Sequence, residues 1–360
     1  MLIPILTQLV QINSINPMLA PGAPGESAIA QFIVETLRHP NVSVQLLEPE
    51  PGRVSVVATV KGTGGGRSLM LNGHIDTVAV DGMHEPFSGA IRDGKLYGRG
   101  AYDMKGSIAA CMSALLAIAN APPRGDVVFA AVADEEYGSI GTIDLLRHVR
   151  TDAAIVTEPT ALDVCLAHKG YMWIEVETQG RAAHGSRFEL GIDANMRMGR
   201  FLAKLDLLEQ ELRARKPHPL LGPPSLHAAM INGGSGLSTY AASCKLQIER
   251  RTIPGETEAS VVRELESLSD ATVRPYFVRE PFEVSADAAI VQSALRAVPG
   301  AAIVGDTPWM DAALLQAAGI ETVVIGPRGT GAHAAEEWVD VESVVKLAKI
   351  LHAIALDYCA

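Results

Sequence analysis

Cysteine is scarce in this chain of 360 residues: Cys111, Cys165, Cys244 and Cys359 are the only four, far apart and with no CxxC pair. Such spacing argues against a disulfide framework and makes a reducing compartment the expectation. Basic runs are missing too. Lys and Arg total 30 against 41 Asp and Glu, a formal net charge of -11 that argues against a nucleic-acid partner and otherwise bears on solubility. No apolar run is long enough to span a bilayer; the strongest, "SIAACMSALLAIA", is interrupted by Ser107 and Ser113 and followed by Asn120. The first basic residue is Arg38, so the N-terminal stretch lacks the charged region of a signal peptide and the arginines of a transit peptide. A cytoplasmic location with no membrane partner is expected. A G-x-S-x-G elbow is also absent, which disfavours a serine hydrolase triad. "KGTGGGRS" lacks the lysine and following Ser/Thr of a phosphate loop and reads as a flexible hairpin turn.

What is present is core-forming material: 48% hydrophobic and 20% charged residues, in a chain too long for one ordinary core. "PILTQLVQI" and "ESAIAQFIVETL" have helical apolar spacing, whereas "SVVATV", "SLMLNGHID", "DVVFAAVAD" and "AAIVTEP" are short apolar runs of buried-strand type. The pattern predicts an α/β fold with a mostly parallel, helix-flanked sheet. From about Gly170 the rhythm changes to β-α-β-β-α-β, the ferredoxin-like order of an α+β domain. After about Pro281 the α/β pattern returns. The expected organisation is a catalytic domain in two parts, 1–169 and 281–360, with an inserted lid or dimerisation domain at 170–280.

Ligands on such sheets gather beyond the carboxyl ends of the strands. "LNGHID", "AVADEE" and "IVTEP" each place an acid or a histidine there, and "GRGAYDMKG" flanks Asp103 with glycines at a strand-to-helix turn. A carboxylate buried at such a turn is costly without a cation or a metal partner. Taken singly, each residue is ordinary: a histidine after a strand is usually a polar loop residue, and paired glutamates usually face solvent. Together His74, Asp76, Asp103, Glu135, Glu136, Glu158 and His333 form a borderline donor set suited to zinc, with cobalt or manganese as alternatives.

In order and spacing, "GHIDTV", "GRGAYDMKG", "DEEYG", "TEP" and "GAHAAEE" resemble the five metal-site motifs of the M20 metallopeptidases. That family includes acetylornithine deacetylases, succinyl-diaminopimelate desuccinylases, carboxypeptidases and aminoacylases. The resemblance runs from the N-terminal helix to the C-terminus and leaves no ligand missing. It implies two Zn2+ per subunit (Co2+ or Mn2+ in their place), with Asp103 bridging them. His74 and Glu158 would complete one ligand set, and Glu136 and His333 the other. Asp76 would fix the His74 tautomer, and the Asp103–Met104 peptide is expected to be cis. Glu135, which is not a ligand, would be the general base, taking a proton from a water shared by the metals and passing it to the leaving amine.

In the inserted domain, His184 of "RAAHGS" matches a family histidine that reaches the active site from the partner subunit and stabilises the oxyanion. Asn232 of "INGG" and Arg251 of "ERRTIPGE" resemble substrate-contacting positions, and the backbone near Gly326 is expected to help hold a substrate carboxylate. The neighbouring Arg250 makes the choice of Arg251 a matter of alignment, and "GPR" with Arg328 stands where the family commonly has GPG. The implied function is a dinuclear zinc hydrolase cleaving an amide next to a free carboxylate, foremost deacylation of an N-acyl amino acid, in a homodimer. Dipeptidase or carboxypeptidase action is the near alternative. A non-catalytic metal-binding dimer and a two-metal phosphoesterase are alternatives of other classes, and the extra carboxylate of Glu135 speaks against the first of them.

Overall fold

The computed structural model describes residues 2–360. The chain divides into two compact units: residues up to Leu166 with Val284–Val304 and Met310–Ala360, and Ala167–Glu283 with Gly305–Trp309. The short segment 305–309 falls in the second unit because it is bonded there: Lys169 N–H donates to the Asp306 carbonyl (3.2 Å) and Trp309 Nε1 to the Glu280 carbonyl (3.1 Å).

The first unit is built on a large mixed sheet. Its central strands, Val127–Val132, Leu69–His74, Ala153–Val156 and Glu321–Val324, lie side by side in that order and are all parallel. Ser43–Glu50 and Arg53–Val60 extend it antiparallel at one side, and Val164–His168 pairs antiparallel at the other. The expected parallel character thus holds at the centre only. Val127–Val132, Leu69–His74 and Ala153–Val156 are buried along their whole length, as the apolar runs of the first and third require; Leu69–His74 carries the buried polar residues Asn72 and His74 at its end. Helix Gly106–Asn120, apolar on almost every side, packs against Leu2–Gln11 and Val341–Tyr358, while Ile140–His148 packs against Ala312–Ala317. None of the described helices is long and apolar enough to cross a membrane. The glycine-rich "KGTGGGRS" is not a hairpin turn: the strands it joins are separated by Val127–Val132. Thr63 and Gly64 instead bond to the carbonyls of Pro123 and Arg124.

A second, small antiparallel sheet links Ile91–Arg92, Lys95–Tyr97, Trp338–Asp340 and Gly329–Thr330. The "GKLY" strand belongs to it and not to the main sheet. This sheet ties the segment before Asp103 to the segment after His333.

The second unit has strands Gly170–Gln179, Ser225–Gly233, Ser243–Thr252 and Thr272–Arg279, with helices Ala194–Ala214 and Glu258–Glu266. The fourth, first, third and second strands lie side by side, all antiparallel, which is the ferredoxin-like arrangement. Met172, Ile174 and Val176 alternate inward and meet Met198, Phe201, Leu205 and Leu208 of the longer helix in one apolar core. Asp193 caps that helix by accepting from Asn195 and Met196 N–H.

Candidate metal centre

Topology brings the first unit's candidates together. The three adjacent parallel strands end in His74, in the loop carrying Glu135 and Glu136, and in the loop carrying Glu158; the fourth leads through Gly326 to His333. Asp103 comes from the turn before helix Gly106–Asn120, and the Asp103–Met104 peptide is cis.

Two donor triads result, His74 with Asp103 and Glu158, and Asp103 with Glu136 and His333, the donor atoms of each lying within 4.8 Å of one another. Asp103 is common to both. Its Oδ1 lies 3.0 Å from His74 Nε2 and its Oδ2 3.4 Å from His333 Nε2, so each oxygen faces one triad. Glu158 Oε1 is 3.5 Å from His74 Nε2, and Glu136 Oε2 is 3.0 Å from His333 Nε2. His74 is buried, whereas the His333 side chain is 56% exposed and its backbone is left-handed at φ 61°.

Among the described residues, the only ion-pair partners of Asp103, Glu136 and Glu158 are these two imidazoles. Burial pushes the carboxyls of Glu135 and Glu158 well above the ordinary range, and neighbouring carboxylates add to the effect. Burial also opposes ionisation of Asp103, but bonds from His333 and His74 outweigh it and hold that carboxyl low. The same contacts raise His333 to about 10, and Asp103 and Asp76 raise His74 against the cost of its burial. Carboxylates crowded around two imidazoles, with Asp103 common to both triads, fit a pair of divalent cations. Each triad offers the three protein ligands of an open, hydrolytic site.

Asp76 lies beneath this array, fully buried. His74 Nδ1 faces the Asp76 carbonyl at 3.0 Å and its Oδ1 at 3.6 Å, an arrangement that places a proton on Nδ1 and leaves Nε2 as the donor atom. The Asp76 carboxylate also accepts the N–H of Glu135 (3.2 Å) and of Glu136 (3.3 Å). Glu135 belongs to neither triad, yet its backbone is held beside them.

Gly326 follows the strand Glu321–Val324, and its N–H donates to Thr160 Oγ1 (3.0 Å). A side chain here would collide with the Glu158 carbonyl, and glycine is what lets the strand end lie against the Glu158 loop. In the second unit, His184 is exposed, and its Nδ1 faces Ser186 Oγ at 2.8 Å and Ser186 N–H at 3.3 Å. Arg250 is buried, in ion pairs with Glu256 and Glu264, whereas Arg251 lies over the Tyr171 ring at 4.9 Å and pairs with Glu249 at 2.7 Å. The two arginines are thus separated by strand alternation. Asn232 is exposed near the end of the edge strand Ser225–Gly233.

Several supporting residues escaped the sequence reading. Glu337, 1% exposed, accepts from Arg99 Nη1 (2.7 Å) and from the N–H of Gly100, Tyr102 and Asp103 at 3.0, 2.9 and 3.1 Å. Arg99 also donates to the carbonyls of Ala79 and Ala334, both at 3.0 Å, so the pair clasps the loops of both Asp103 and His333. Asp311, buried and pushed up to about 6 by that burial, accepts from Thr142 Oγ1 at 2.5 Å. Glu337 stands inside the "GAHAAEE" motif, which is the one signal that marked it. The others carry none.

Comparison with known proteins agrees with this geometry. Residues 70–357 match the profile of Peptidase family M20/M25/M40. The chain is 31% identical over 292 residues to acetylornithine deacetylase of Proteus mirabilis (78% of this chain, 73% of that protein). It is 33% identical over 328 residues to the Myxococcus xanthus enzyme of the same name (85% and 84%). It is also 28% identical over 391 residues to N-formyl-4-amino-5-aminomethyl-2-methylpyrimidine deformylase of Bacillus subtilis (95% and 91%). Among solved structures, aminopeptidase PepT of Bacillus cereus superposes with a TM-score of 0.80 at 18% identity, covering 100% of this chain and 98% of that one. YXEP of Bacillus subtilis, a dinuclear metal-binding M20 peptidase, gives 0.76 at 15%, covering 99% and 97%. The profile match over residues 70–357 and the two relatives at 31% and 33% identity lead to one conclusion: the chain belongs to peptidase family M20/M25/M40 and is a metallohydrolase acting on amide bonds.

Proposed function

We propose that the protein is a dinuclear zinc amidohydrolase that removes the acyl group from an N-acyl amino acid, with Glu135 as general base. The observation that supports this most directly is Glu135 itself: a carboxyl beside Glu136, in neither donor triad, made more basic by burial and by Glu158. A metal site with a purely structural role has no use for it. Bound at the two triads, divalent cations would supply Lewis-acid polarisation of the scissile carbonyl and acidify the attacking water. The chain's residues do the rest. Glu135 takes the proton from that water and returns it to the leaving amine. His184 donates to the oxyanion, and Arg251 and Asn232 take the substrate carboxylate.

We assign His184 to the partner's site in a homodimer. The edge strand Ser225–Gly233 supports the pairing: it has an unpaired edge, and Met230 and Ile231 are 63% and 57% exposed. The relative named as a deformylase favours widening the acyl group to formyl as well as acetyl.

The test is release of free amine from a panel of N-acetyl, N-succinyl and N-formyl amino acids and dipeptides, with zinc, cobalt and manganese in turn. Glu135→Gln is expected to retain metal and lose about 10²–10⁴-fold in turnover. Wild-type rates in that variant would remove Glu135 as the base. No turnover of any acyl or peptide substrate by metal-loaded protein would remove the function.

A further inference from the structure

The loop carrying Glu135 and Glu136 is held by a residue far from it in sequence. Asn16 is fully buried and lies between two buried carboxylates: its Nδ2 donates to Asp76 Oδ2 at 2.8 Å and to Asp134 Oδ1 at 2.9 Å. The bond to Asp76 is shorter than those Asp76 accepts from Glu135 and Glu136 N–H, at 3.2 and 3.3 Å. Those two N–H groups fall one on each carboxylate oxygen, so the rotation of the Asp76 carboxyl fixes both backbones. Asp134 holds the other end of the same tripeptide. It adopts φ 70°, and its carbonyl accepts from Gly138 N–H (3.0 Å) and also from Ser139 N–H. Its second buried partner is Arg53, at 2.7 Å, whose guanidinium also pairs with Glu26 at 2.8 Å. One neutral amide thus joins two buried carboxylates that would otherwise repel.

We propose that Asn16 is a positioning residue, whose side-chain amide clamps Asp76 to Asp134 and so sets where Glu135 and Glu136 stand. The proposal rests on the reading of Glu135 as base and Glu136 as ligand. Residues 14–16 lie outside the region matched by the family profile, which begins at residue 70, so the assignment comes from this structure's own hydrogen bonds. The backbone of Asn16 is anchored independently of its side chain: its N–H donates to the Thr77 carbonyl (2.9 Å), and Thr77 N–H donates to the Ser14 carbonyl (3.0 Å). Truncating the side chain therefore removes the clamp, together with the bond Asn16 Oδ1 accepts from Met18 N–H (3.0 Å), while the backbone bonds to residue 77 remain.

The test is Asn16→Ala in the full chain, read two ways. In metal-free protein, hydrogen exchange at the amides of Glu135 and Glu136 is expected to accelerate at least about tenfold. Strands Val127–Val132 and Leu69–His74 should keep wild-type rates. In zinc-loaded protein, kcat is expected to fall about 10- to 100-fold, the usual effect of losing a partner of a ligand-bearing group, with KM little changed. Unchanged exchange at 135–136, or faster exchange spread evenly over the first unit, would overturn the proposal, the latter because it describes a general stabiliser. So would an unaltered kcat. If Asn16→Ala does not fold, Asn16→Ser, which keeps one donor, takes the same two readouts and should fall between Ala and wild type. Faster exchange confined to 135–136 supports the clamp even if the wild type cleaves no acyl amino acid. That result would remove the proposed function alone.

Discussion

Glu337→Gln is the sharpest perturbation of the site that leaves every proposed metal ligand in place. The substitution keeps the shape of the side chain but turns one of its two oxygens into an NH2. Glu337 Oε1 accepts from Tyr102 and Asp103 N–H, and Oε2 from Arg99 and Gly100 N–H, so either orientation of the amide sets a donor against two donors. Two buried groups then lose their acceptor, at about 1–3 kcal/mol each. Arg99, 3% exposed, is left as a buried cation without its carboxylate, and breaking such a pair costs about 3–5 kcal/mol in total. These overlap, so about 3–5 kcal/mol is the expected loss, a large share of the ~5–15 kcal/mol that holds a typical domain together. Urea unfolding of the metal-free protein followed by circular dichroism measures it. Because Arg99 also holds the Ala334 carbonyl beside His333, zinc affinity should weaken about 10- to 100-fold. A midpoint shift worth less than about 1 kcal/mol, together with wild-type zinc affinity, would refute the clasp.

Three further outcomes follow from the same geometry. Asp103→Ala removes the one carboxylate common to both triads and should lower zinc content by elemental analysis; full stoichiometry would contradict bridging. His184→Ala should reduce kcat more than it raises KM, whereas a binding defect alone would argue against oxyanion stabilisation. Asp311→Asn tests the pH dependence of the metal-free protein. The Asp311 carboxyl is raised from 3.8 to about 6, so its stabilising contribution is present below about pH 4 and is lost as pH rises through 6. The wild type should therefore lose about 3 kcal/mol relative to the variant between pH 4 and pH 8, and parallel stability curves would exclude the assignment.

What could be read from the sequence, and what could not, divides along a physical line. His74, Glu136 and Glu158 were legible because each stands at or just after the end of a short apolar run, and buried parallel strands deliver such residues to one edge. Asp103 was legible from the glycines around it and from the cost of burying it. The antiparallel flanks of the main sheet were not legible: Ser43–Glu50 is mostly exposed, and "SVQLLEPE" carries no clean alternation. The membership of Gly305–Trp309 in the second unit was also hidden, since it depends on backbone bonds to Lys169 and Glu280 more than a hundred and more than twenty residues away.

The residues that hold the ligands in place were the least visible, for a reason that applies beyond this site. A metal ligand must project from the end of an element, so local pattern exposes it. A group that orients the ligand need only supply a hydrogen bond, and any segment passing nearby can do so. Asn16 reaches Asp134 across 118 positions and Glu337 reaches Asp103 across 234. Asn16 follows no strand, and Glu337 is marked only by its place inside the "GAHAAEE" motif. Both are nevertheless buried polar groups with their bonds made, and a buried polar group costs more when its partner is lost than it contributes when paired. Mutation should therefore be about as damaging at Glu337 as at a candidate ligand.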